Sequence, residues 1–302
     1  MAGASSERGP TIDHTPAHLL DLIDKSAERI SGPDGADLRV VSTSRTQAIS
    51  GQTGASCRDV EIAALENGVV PSRYLRNQAT YDCSDQVRFL RSRVAIVGLG
   101  GLGGAVAEIL ARAGVGALTL IDGDRFEEHN LNRQLFCTQD NLGSTKASAA
   151  ETRVAAINGA VETRMVPTFL STENAFQVIA GHDVVVDCLD NIPSRFVAED
   201  AARQAGIPLV SAAIGGLTGQ VTVIYPQDGG LEWVYGPRDS ARQTQGAEHL
   251  LGCPPQTVVL VAAMQCGEVL SILCHRTGQR LRNKLWIVDL SDHTVEVLAL
   301  AG

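Results

Sequence analysis

From Arg93 onward, short apolar runs alternate with stretches in which apolar residues recur at helical spacing. This alternation is typical of βαβ units, in which helices cover a parallel sheet. The apolar runs predict five strands, Val94–Val97, Leu118–Ile121, Val161–Val166, Val184–Cys188 and Pro208–Ala212. The stretches between them predict four helices, Ala105–Ala113, Lys146–Ile157, Asn174–Ala180 and Ser194–Ala205. The predicted fold class is therefore α/β, a Rossmann-like, doubly wound and mainly parallel sheet.

After Gly215 the pattern changes. Three more apolar runs, Gln220–Tyr225, Lys284–Leu290 and Val295–Leu300, predict antiparallel or mixed strands that extend the sheet on its C-terminal side. A helix at about Thr257–Cys274 lies between them. Residues 236–255 have no clear period and predict a long surface connection, a crossover loop of a length that is commonly functional or mobile.

The first 57 residues are rich in Gly, Ser, Thr, Pro and Ala. They contain one amphipathic stretch, His18–Ile30, and a short run, Leu38–Val41, that predicts a strand. A helix at Arg58–Asn67 follows, with Gly68 as its stop signal. We therefore predict an N-terminal accessory segment, residues 1–57, that is partly disordered, and a main domain at 58–302.

Composition narrows the functional classes. The net charge of −9 argues against a broad nucleic-acid surface, because phosphate binding needs clustered Lys and Arg. The longest apolar run, around Val258 to Ala263, is too short to span a bilayer, and the N-terminus has no hydrophobic signal segment. We expect a cytoplasmic protein that binds neither nucleic acid nor a membrane. Its seven cysteines, without any C-x-x-C pair, predict neither a disulfide framework nor a local zinc site.

One glycine motif carries the first chemical signal. Gly98, Gly100 and Gly103 form G-x-G-x-x-G between a predicted strand and a predicted helix. Such glycines let the backbone approach phosphates, and the helix N-terminus adds free N–H groups. Asp122 ends the next strand, where a carboxylate accepts hydrogen bonds from ribose hydroxyls. The motif predicts a nucleotide site but does not separate NAD from ATP.

Further polar residues favour ATP. Residues 129–134, HNLNRQ, follow Asp122, Lys146 opens the next helix, and Asp190 and Asn191 end the fourth strand. A dehydrogenase has no need of two cations, Arg133 and Lys146, beside its diphosphate turn. A triphosphate attacked by a carboxylate does need them.

These motifs together carry a family resemblance. The segments GLGGLGG, LIDGD, NLNRQ, Lys146 and DCLDN occur in the order and spacing typical of the ThiF/MoeB/HesA family, the bacterial relatives of ubiquitin-activating enzymes. The resemblance covers about Val69 to Ala301 and includes RYLRN before the first strand and QCGEVL near the end. It implies an ATP- and Mg²⁺-dependent adenylyltransferase.

The family pattern also implies roles for individual residues. Asp122 would hold the ribose, and Asn130, Arg133 and Lys146 would contact the phosphates. Asp190 would coordinate Mg²⁺, and Arg76 would reach the ATP site of the neighbouring protomer, which implies a homodimer. The predicted catalytic residues are Arg76, Arg133, Lys146 and Asp190. The predicted nucleotide-binding residues are Gly98, Gly100, Gly101, Gly103, Asp122, Asp124, Asn130, Arg133, Gln134, Lys146, Asp190 and Asn191.

The implied reaction is adenylation of the C-terminal glycine carboxylate of a small ubiquitin-like sulfur-carrier protein ending in Gly-Gly, with release of diphosphate. A C-terminal carboxylate has a pKa of roughly 3.5 and is ionised at neutral pH, so its attack requires no general base. The chemistry instead requires neutralised phosphates and in-line alignment, which Arg76, Arg133, Lys146 and Mg²⁺ could supply.

The chain departs from the family pattern at its cysteines. Many members carry two C-x-x-C pairs that bind zinc, but the corresponding segments read LEWVYGPRD and VDLSDHTVEVLAL, so we predict no zinc. Some relatives carry a nucleophilic cysteine in the crossover loop. Cys253 is the only cysteine in that predicted loop, and its position against Pro254 favours an incidental role over a catalytic thiol.

Three alternatives stay open from sequence. The substrate could be the C-terminus of a ribosomal peptide, with residues 1–57 gripping a leader. The chain could instead be a non-catalytic binding scaffold or the inert half of a heterodimer, against which the retained Arg133, Lys146 and Asp190 count. A dehydrogenase is a more distant alternative, tested by NADH binding.

Overall fold

In the computed structural model, which describes residues 15–31, 37–238, 246–276 and 281–300, the chain divides between Val87 and Arg88 into two units. The first unit carries three helices, a small sheet and a short 3-10 helix. Its elements are α1 (Pro16–Ser26), β1 (Glu28–Ser31), β2 (Asp37–Val41), α2 (Thr43–Thr53), α3 (Cys57–Glu66), β3 (Val69–Pro71) and the 3-10 helix Ser72–Asn77.

Local capping sets where the helices of the first unit begin and end. Thr15 caps α1 by accepting a hydrogen bond from the His18 N–H, and Ser42 and Ser56 cap α2 and α3 in the same way. The stretch predicted as one amphipathic segment, His18–Ile30, is a helix that ends at Ser26 and then strand β1. Strand β2 pairs with β1 antiparallel and with β3 parallel.

The predicted boundary after residue 57 differs from the observed division. Ile23, Val41 and Ile49 form one buried cluster with Val60 and Val69, which lie on the other side of that boundary. The first unit therefore needs α3 and β3 to complete its core. Of the segment predicted to be partly disordered, residues 1–14 and 32–36 lie outside the described residues.

The second unit is an eight-stranded sheet, in the order β11-β10-β9-β8-β7-β4-β5-β6. Helix α4 (Cys83–Arg91) spans the division between the units and leads into it. The strands are β4 (Arg93–Val97), β5 (Ala117–Ile121), β6 (Glu162–Val166), β7 (Val184–Asp187), β8 (Leu209–Gly215), β9 (Thr218–Ile224), β10 (Lys284–Asp289) and β11 (Thr294–Ala299).

Strands β4 to β8 are parallel to one another, and β9, β10 and β11 continue the sheet from β8 in antiparallel pairs. This arrangement confirms the predicted α/β class and its antiparallel extension. Strand β7 ends at Asp187, one residue before the predicted end. Strand β8 runs beyond the predicted Ala212 to Gly215, because its last residues pair with the start of β9 across a tight turn.

Most helices of the second unit connect consecutive parallel strands along the chain. They are α5 (Gly101–Ala113), α6 (Lys146–Ile157), α7 (Ala175–Ile179), α8 (Ile192–Ala205), α9 (Glu232–Tyr235), α10 (Glu248–Leu251) and α11 (Pro255–Leu273), with 3-10 turns at Glu128–Asn130 and Gln139–Asn141. Helix α5 begins at Gly101, earlier than the predicted Ala105, because the glycines at its start also take the helical conformation. Residues 239–245 of the predicted crossover loop lie outside the described residues, and α10 forms within the rest.

Helix α11 is the one helix of the described chain that is long and apolar enough to cross a membrane by length and composition. The predicted apolar run of Val258 to Ala263 is thus part of a longer apolar helix. More than half of its most apolar 18-residue stretch is buried, and it packs against α5 and β8 in the second unit. The apolar positions of α11 therefore form part of the core on one face of the sheet.

Candidate nucleotide-binding site

The parallel strands of the second unit end together along one edge of the sheet. Val97 of β4 is paired with Ile121 of β5 on one side and with Asp187 of β7 on the other, so the loops that follow these strands meet. A cavity of about 580 Å³ lies there. Small-molecule sites span about 300–1,000 Å³ and lie at this edge of open α/β sheets.

The glycine loop after β4 forms one wall of the cavity. Gly98 has φ of 86°, and a Cβ there would lie 2.8 Å from the backbone oxygen of Cys188. A Cβ on Gly103 would lie 1.8 Å from the backbone oxygen of Gly98, so this glycine lets α5 approach β4. Gly100 and Gly101 line the cavity at the start of α5, which has no side-chain cap. The helix N-terminus therefore presents backbone N–H groups to an anion.

Asp122 lines the cavity at the end of β5 and also holds the glycine loop. It is 8% exposed. Its Oδ2 accepts the Leu99 N–H at 2.7 Å, and its Oδ1 accepts the Asp124 N–H at 2.7 Å. Each carboxylate oxygen can accept more than one hydrogen bond, so this geometry is compatible with ribose hydroxyls as further donors.

Both predicted cations, Lys146 and Arg133, line the same cavity. Lys146 opens α6, and its largely buried Nζ donates to the Asp124 carboxylate at 2.9 Å. Arg133 donates from Nη1 to the backbone oxygen of His129 and to Asn132 Oδ1, each at 2.9 Å. Both side chains keep further N–H donors, because an ammonium has three and a guanidinium five.

Gln134 and Asn130, although four residues apart in one motif, are placed differently. Gln134 lines the cavity, is 5% exposed, and its Oε1 has no hydrogen-bond partner among the described residues. Asn130 is buried too, but its Oδ1 accepts the Glu127 N–H at 3.0 Å and it is not among the residues that line the cavity. The structure thus brings Gln134 to the cavity and gives Asn130 a capping position.

The turn after β7 contributes Asp190 and Asn191. Asp190 is exposed at the cavity, and its Oδ1 accepts the Asn191 side-chain N–H at 3.2 Å. Asn191 caps α8, where its Oδ1 accepts the Ser194 N–H at 2.9 Å. Asp190 forms no ion pair within the described residues.

A buried ion pair that sequence reasoning missed supports this turn. Arg195 donates from Nη1 to Asp187 Oδ2 at 2.7 Å and to the Ala212 carbonyl at 2.7 Å, and from Nη2 to the Leu189 carbonyl. Burial alone would lower the pKa of Arg195, but the adjacent Asp187 carboxylate raises it above the usual value. The only available signal was an arginine on the predicted helix directly after DCLDN.

The region around α10 forms the far wall, and it holds Glu248 and Cys253. Burial raises the pKa of Glu248, and the nearby Asp190 carboxylate adds to that rise. Burial also raises the pKa of the Cys253 thiol, although the neighbouring Arg133 partly offsets the rise. A thiol with a raised pKa is mostly protonated at neutral pH and is a weak nucleophile.

Arg76, the last of the predicted catalytic residues, is not among the residues that line the cavity. Arg76 is exposed on the 3-10 helix Ser72–Asn77 of the first unit. Within the described residues, no group of three or more His, Cys, Asp or Glu side chains could hold a metal ion. His249 lines the cavity, whereas His275 and His293 are exposed and are not among the cavity-lining residues.

A glycine loop at a helix N-terminus, with an acid at the end of the next strand, defines the chain as a Rossmann-like nucleotide-binding protein. The sequence model of the ThiF family matches residues 74–301, and the chain belongs to that family. This confirms the predicted family.

Curated relatives agree with the family and with the enzyme class. The SAMP-activating enzyme E1 of Haloferax volcanii is 35% identical over 70% of this chain and 78% of its own length. The sulfur carrier protein adenylyltransferase of Thermus thermophilus is 41% identical over 46% of this chain and 52% of its own. Mouse adenylyltransferase and sulfurtransferase MOCS3 is 43% identical over 48% and 31%. The chain spans about half or less of the length of the last two relatives. The names of these relatives confirm the predicted adenylyltransferase class.

Solved structures share the fold at low identity. Escherichia coli MccB, solved with ATP, has a TM-score of 0.65 at 19% identity, over 85% of this chain and 82% of its own. PaaA has a TM-score of 0.63 at 20% identity, over 81% and 82%. These likenesses confirm the fold class alone.

Proposed function

We propose that the chain binds ATP with Mg²⁺ in the cavity and adenylates the C-terminal glycine carboxylate of a ubiquitin-like sulfur-carrier protein, releasing diphosphate. One observation carries the proposal: the cavity brings together the glycine loop, Asp122, Arg133, Lys146 and Asp190. The names of the Haloferax and Thermus relatives support a carrier as substrate.

The cavity fits a nucleotide triphosphate. A Cβ on Gly98 or Gly103 would clash with backbone atoms, so only glycine allows this tight turn before the N-terminus of α5. Gln134 lines the cavity, and its buried Oε1 has no hydrogen-bond partner in the described chain. Asp190, an exposed carboxylate without a cationic partner there, is the residue that would hold Mg²⁺. When bound, Mg²⁺ neutralises phosphate charge.

The chain's own groups would act by position and charge. The N-terminus of α5 binds phosphate oxygens, and Asp122 orients the ribose. Lys146 and Arg133 offset negative charge as the carboxylate approaches the α-phosphate and diphosphate leaves. The attacking carboxylate is already ionised, so no residue has to remove a proton. A well-placed arginine contributes about 10³–10⁵ in rate in related phosphoryl transfers.

The proposal includes a homodimer in which Arg76 reaches the ATP site of the neighbouring protomer. Its support is the family match, which begins at residue 74 and so includes Arg76. The proposal assigns Cys253 no nucleophilic step, in keeping with its raised pKa. The cytoplasmic location and the absence of zinc remain predictions.

One observation favours a second substrate, the C-terminus of a ribosomal peptide. MccB has also been solved with MccA, and its fold likeness covers 85% of this chain, more than the second unit alone. Deletion of residues 1–57 would not be a clean test, because that segment supplies Ile23, Val41 and Ile49 to the core of the first unit. The two substrates are better compared directly on the full chain.

The test is ATP–diphosphate exchange by the full chain with carriers ending in Gly-Gly, and in parallel with ribosomal peptides. We expect carrier-dependent exchange that falls by at least about 10²-fold in Asp190→Ala. The matched control is Asp140→Ala, which changes an exposed aspartate on the turn Gln139–Asn141, away from the cavity-lining residues.

Each outcome decides between the proposals. Exchange that only peptides elicit would replace the carrier with a peptide substrate. If neither elicits exchange while ATP still binds, the chain is a scaffold and the catalytic proposal is wrong. Equal losses in Asp190→Ala and Asp140→Ala would remove the assigned role of Asp190.

A further inference from the structure

Phe169 is an exposed aromatic side chain inside the cavity. It lies in the loop after β6 and lines the cavity with its neighbours Thr168 and Leu170. The side chain is 64% exposed, more than any other phenylalanine of the described chain. An apolar ring left in water within a polar site is a candidate for contact with an apolar ligand surface.

The Phe169 ring packs against the backbone of the loop that follows β5. A Cβ on Gly123 would lie 2.8 Å from two carbons of the Phe169 ring, so the ring rests against the backbone of Gly123. Gly123 lies between Asp122 and Asp124, next to the carboxylate assigned to the ribose.

The loop that carries Phe169 is also braced. Asn174 donates from Nδ2 to the Phe169 carbonyl at 2.9 Å, and its Oδ1 accepts the Ser171 N–H at 2.9 Å. The Thr168 N–H donates to the Val166 carbonyl at 2.8 Å at the end of β6. These hydrogen bonds fix the backbone that carries the ring, so the loop loses little conformational entropy when a ligand covers the ring.

The order of the strands in the sheet indicates which part of a nucleotide would contact Phe169. Strand β4 leads into the glycine loop, which suits phosphates, and its neighbour β5 leads to Asp122, which suits the ribose. The next strand, β6, lies on the far side of β5 and leads to Phe169. Phosphates, ribose and base follow in the same order along a nucleotide, so the base would lie over the end of β6.

We propose that Phe169 is a base-stacking residue, a preformed platform on which the adenine of ATP lies. The proposal rests on the proposed function for the identity of the nucleotide. Aromatic stacking on a base contributes about 1–3 kcal/mol by alanine substitution, which corresponds to about a 5- to 150-fold change in affinity.

The experiment measures equilibrium binding by calorimetry, without any carrier, of ATP and of inorganic tripolyphosphate, which has no base. Phe169→Ala should weaken ATP binding about 5- to 150-fold and leave tripolyphosphate binding unchanged. Phe169→Trp should retain ATP binding. The matched control is Phe176→Ala, which removes an exposed phenylalanine of α7 that is not among the cavity-lining residues.

A second variant, Gly123→Ala, keeps the ring but displaces it, because the added Cβ would clash with it. We expect weaker ATP binding there too. Unchanged ATP affinity in Phe169→Ala, or equal loss of ATP and tripolyphosphate affinity, would overturn the proposal. ATP binding that depends on Phe169 without any carrier- or peptide-dependent exchange would uphold the platform and reject the adenylation, so the two failures are distinct.

Discussion

The ends of β5 and β7 each present two aspartates, yet they use them in different ways. At β5 the inner residue, Asp122, lines the cavity and accepts only backbone N–H groups among the hydrogen bonds described. At β7 the inner residue, Asp187, is fully buried and is bonded to the Arg195 guanidinium and the Ser211 hydroxyl. Asp122 is thus both a support and a candidate ligand contact, whereas Asp187 is a support only.

The second aspartate at each strand end, Asp124 after β5 and Asp190 after β7, differs in whether it forms an ion pair. Asp124 is paired with Lys146 at 2.9 Å, whereas Asp190 has no ion pair in the described part of the chain. At the β5 end the Lys146 ammonium lies in the cavity beside Asp124, and its remaining N–H donors can contact phosphates. At the β7 end Arg195 also lines the cavity, but its guanidinium is bonded to the buried Asp187, so the Asp190 carboxylate keeps a negative charge in the cavity that a metal ion could bind.

The largest expected effect on stability comes from removing Arg195, the cation that pairs with the buried Asp187 at the end of β7. Arg195→Met would leave the Asp187 carboxylate buried without its cation, which typically costs about 3–5 kcal/mol of stability. The free energy of unfolding from denaturant titration measures the loss. Adding Asp187→Asn to this variant should recover part of it, because the buried charge is then gone.

The matched control is Arg112→Met. Arg112 pairs with Glu108 at 2.6 Å, but its side chain is 58% exposed and Glu108 keeps Arg153 as a second partner. Exposed pairs contribute about 0–1 kcal/mol. If Arg195→Met is no more destabilising than Arg112→Met, the buried pair does not support the β7 turn.

A smaller effect is expected from the inner aspartate at β5. In Asp122→Asn the side-chain amide can accept only one of the two N–H groups, from Leu99 and Asp124, that the carboxylate accepts now. The unpaired, buried N–H costs about 1–3 kcal/mol of stability. Denaturant titration measures this loss, and calorimetry should show weaker ATP binding.

Asp292→Asn is the comparison for this prediction. Asp292 also accepts a backbone N–H, from Thr294 at 3.1 Å, but it is exposed, so the substitution should change stability by about 0.5 kcal/mol or less. Equal stability of Asp122→Asn and the wild-type protein would show that the carboxylate does not hold the glycine loop.

The parts of the site that sequence predicted are those fixed by local spacing. Gly98 and Gly103 are required by contacts at the strand–turn–helix, and Lys146 begins a helix at a position its own periodicity reveals. Asn130 shows the limit, since nothing in NLNRQ separates a capping side chain from one that faces a ligand. Its prediction as a phosphate contact gains no support from the geometry.

Residues that act across the fold could not be predicted in the same way. The pairing of Arg195 with Asp187 depends on how α8 lies against β7, and the position of Phe169 depends on β6 lying next to β5. The boundary after residue 57 followed a change in composition, but the division of the chain follows the buried contacts of Val60 and Val69. Long-range packing decides all three.

The smallest expected effect is at the outer aspartate of β5. Asp124→Asn removes the charge that faces Lys146 but keeps an oxygen that can accept from Nζ. The carboxylate is 53% exposed, so water screens the pair and the loss of stability should be below about 1 kcal/mol. The backbone bond from the Lys146 N–H to the Asp124 carbonyl, 3.0 Å, is retained and keeps the start of α6 in place. Denaturant titration beside Arg195→Met checks the contrast. A loss above about 2 kcal/mol would show that the outer aspartate at β5 is as structural as the inner one at β7, and the two strand ends would then not differ as described.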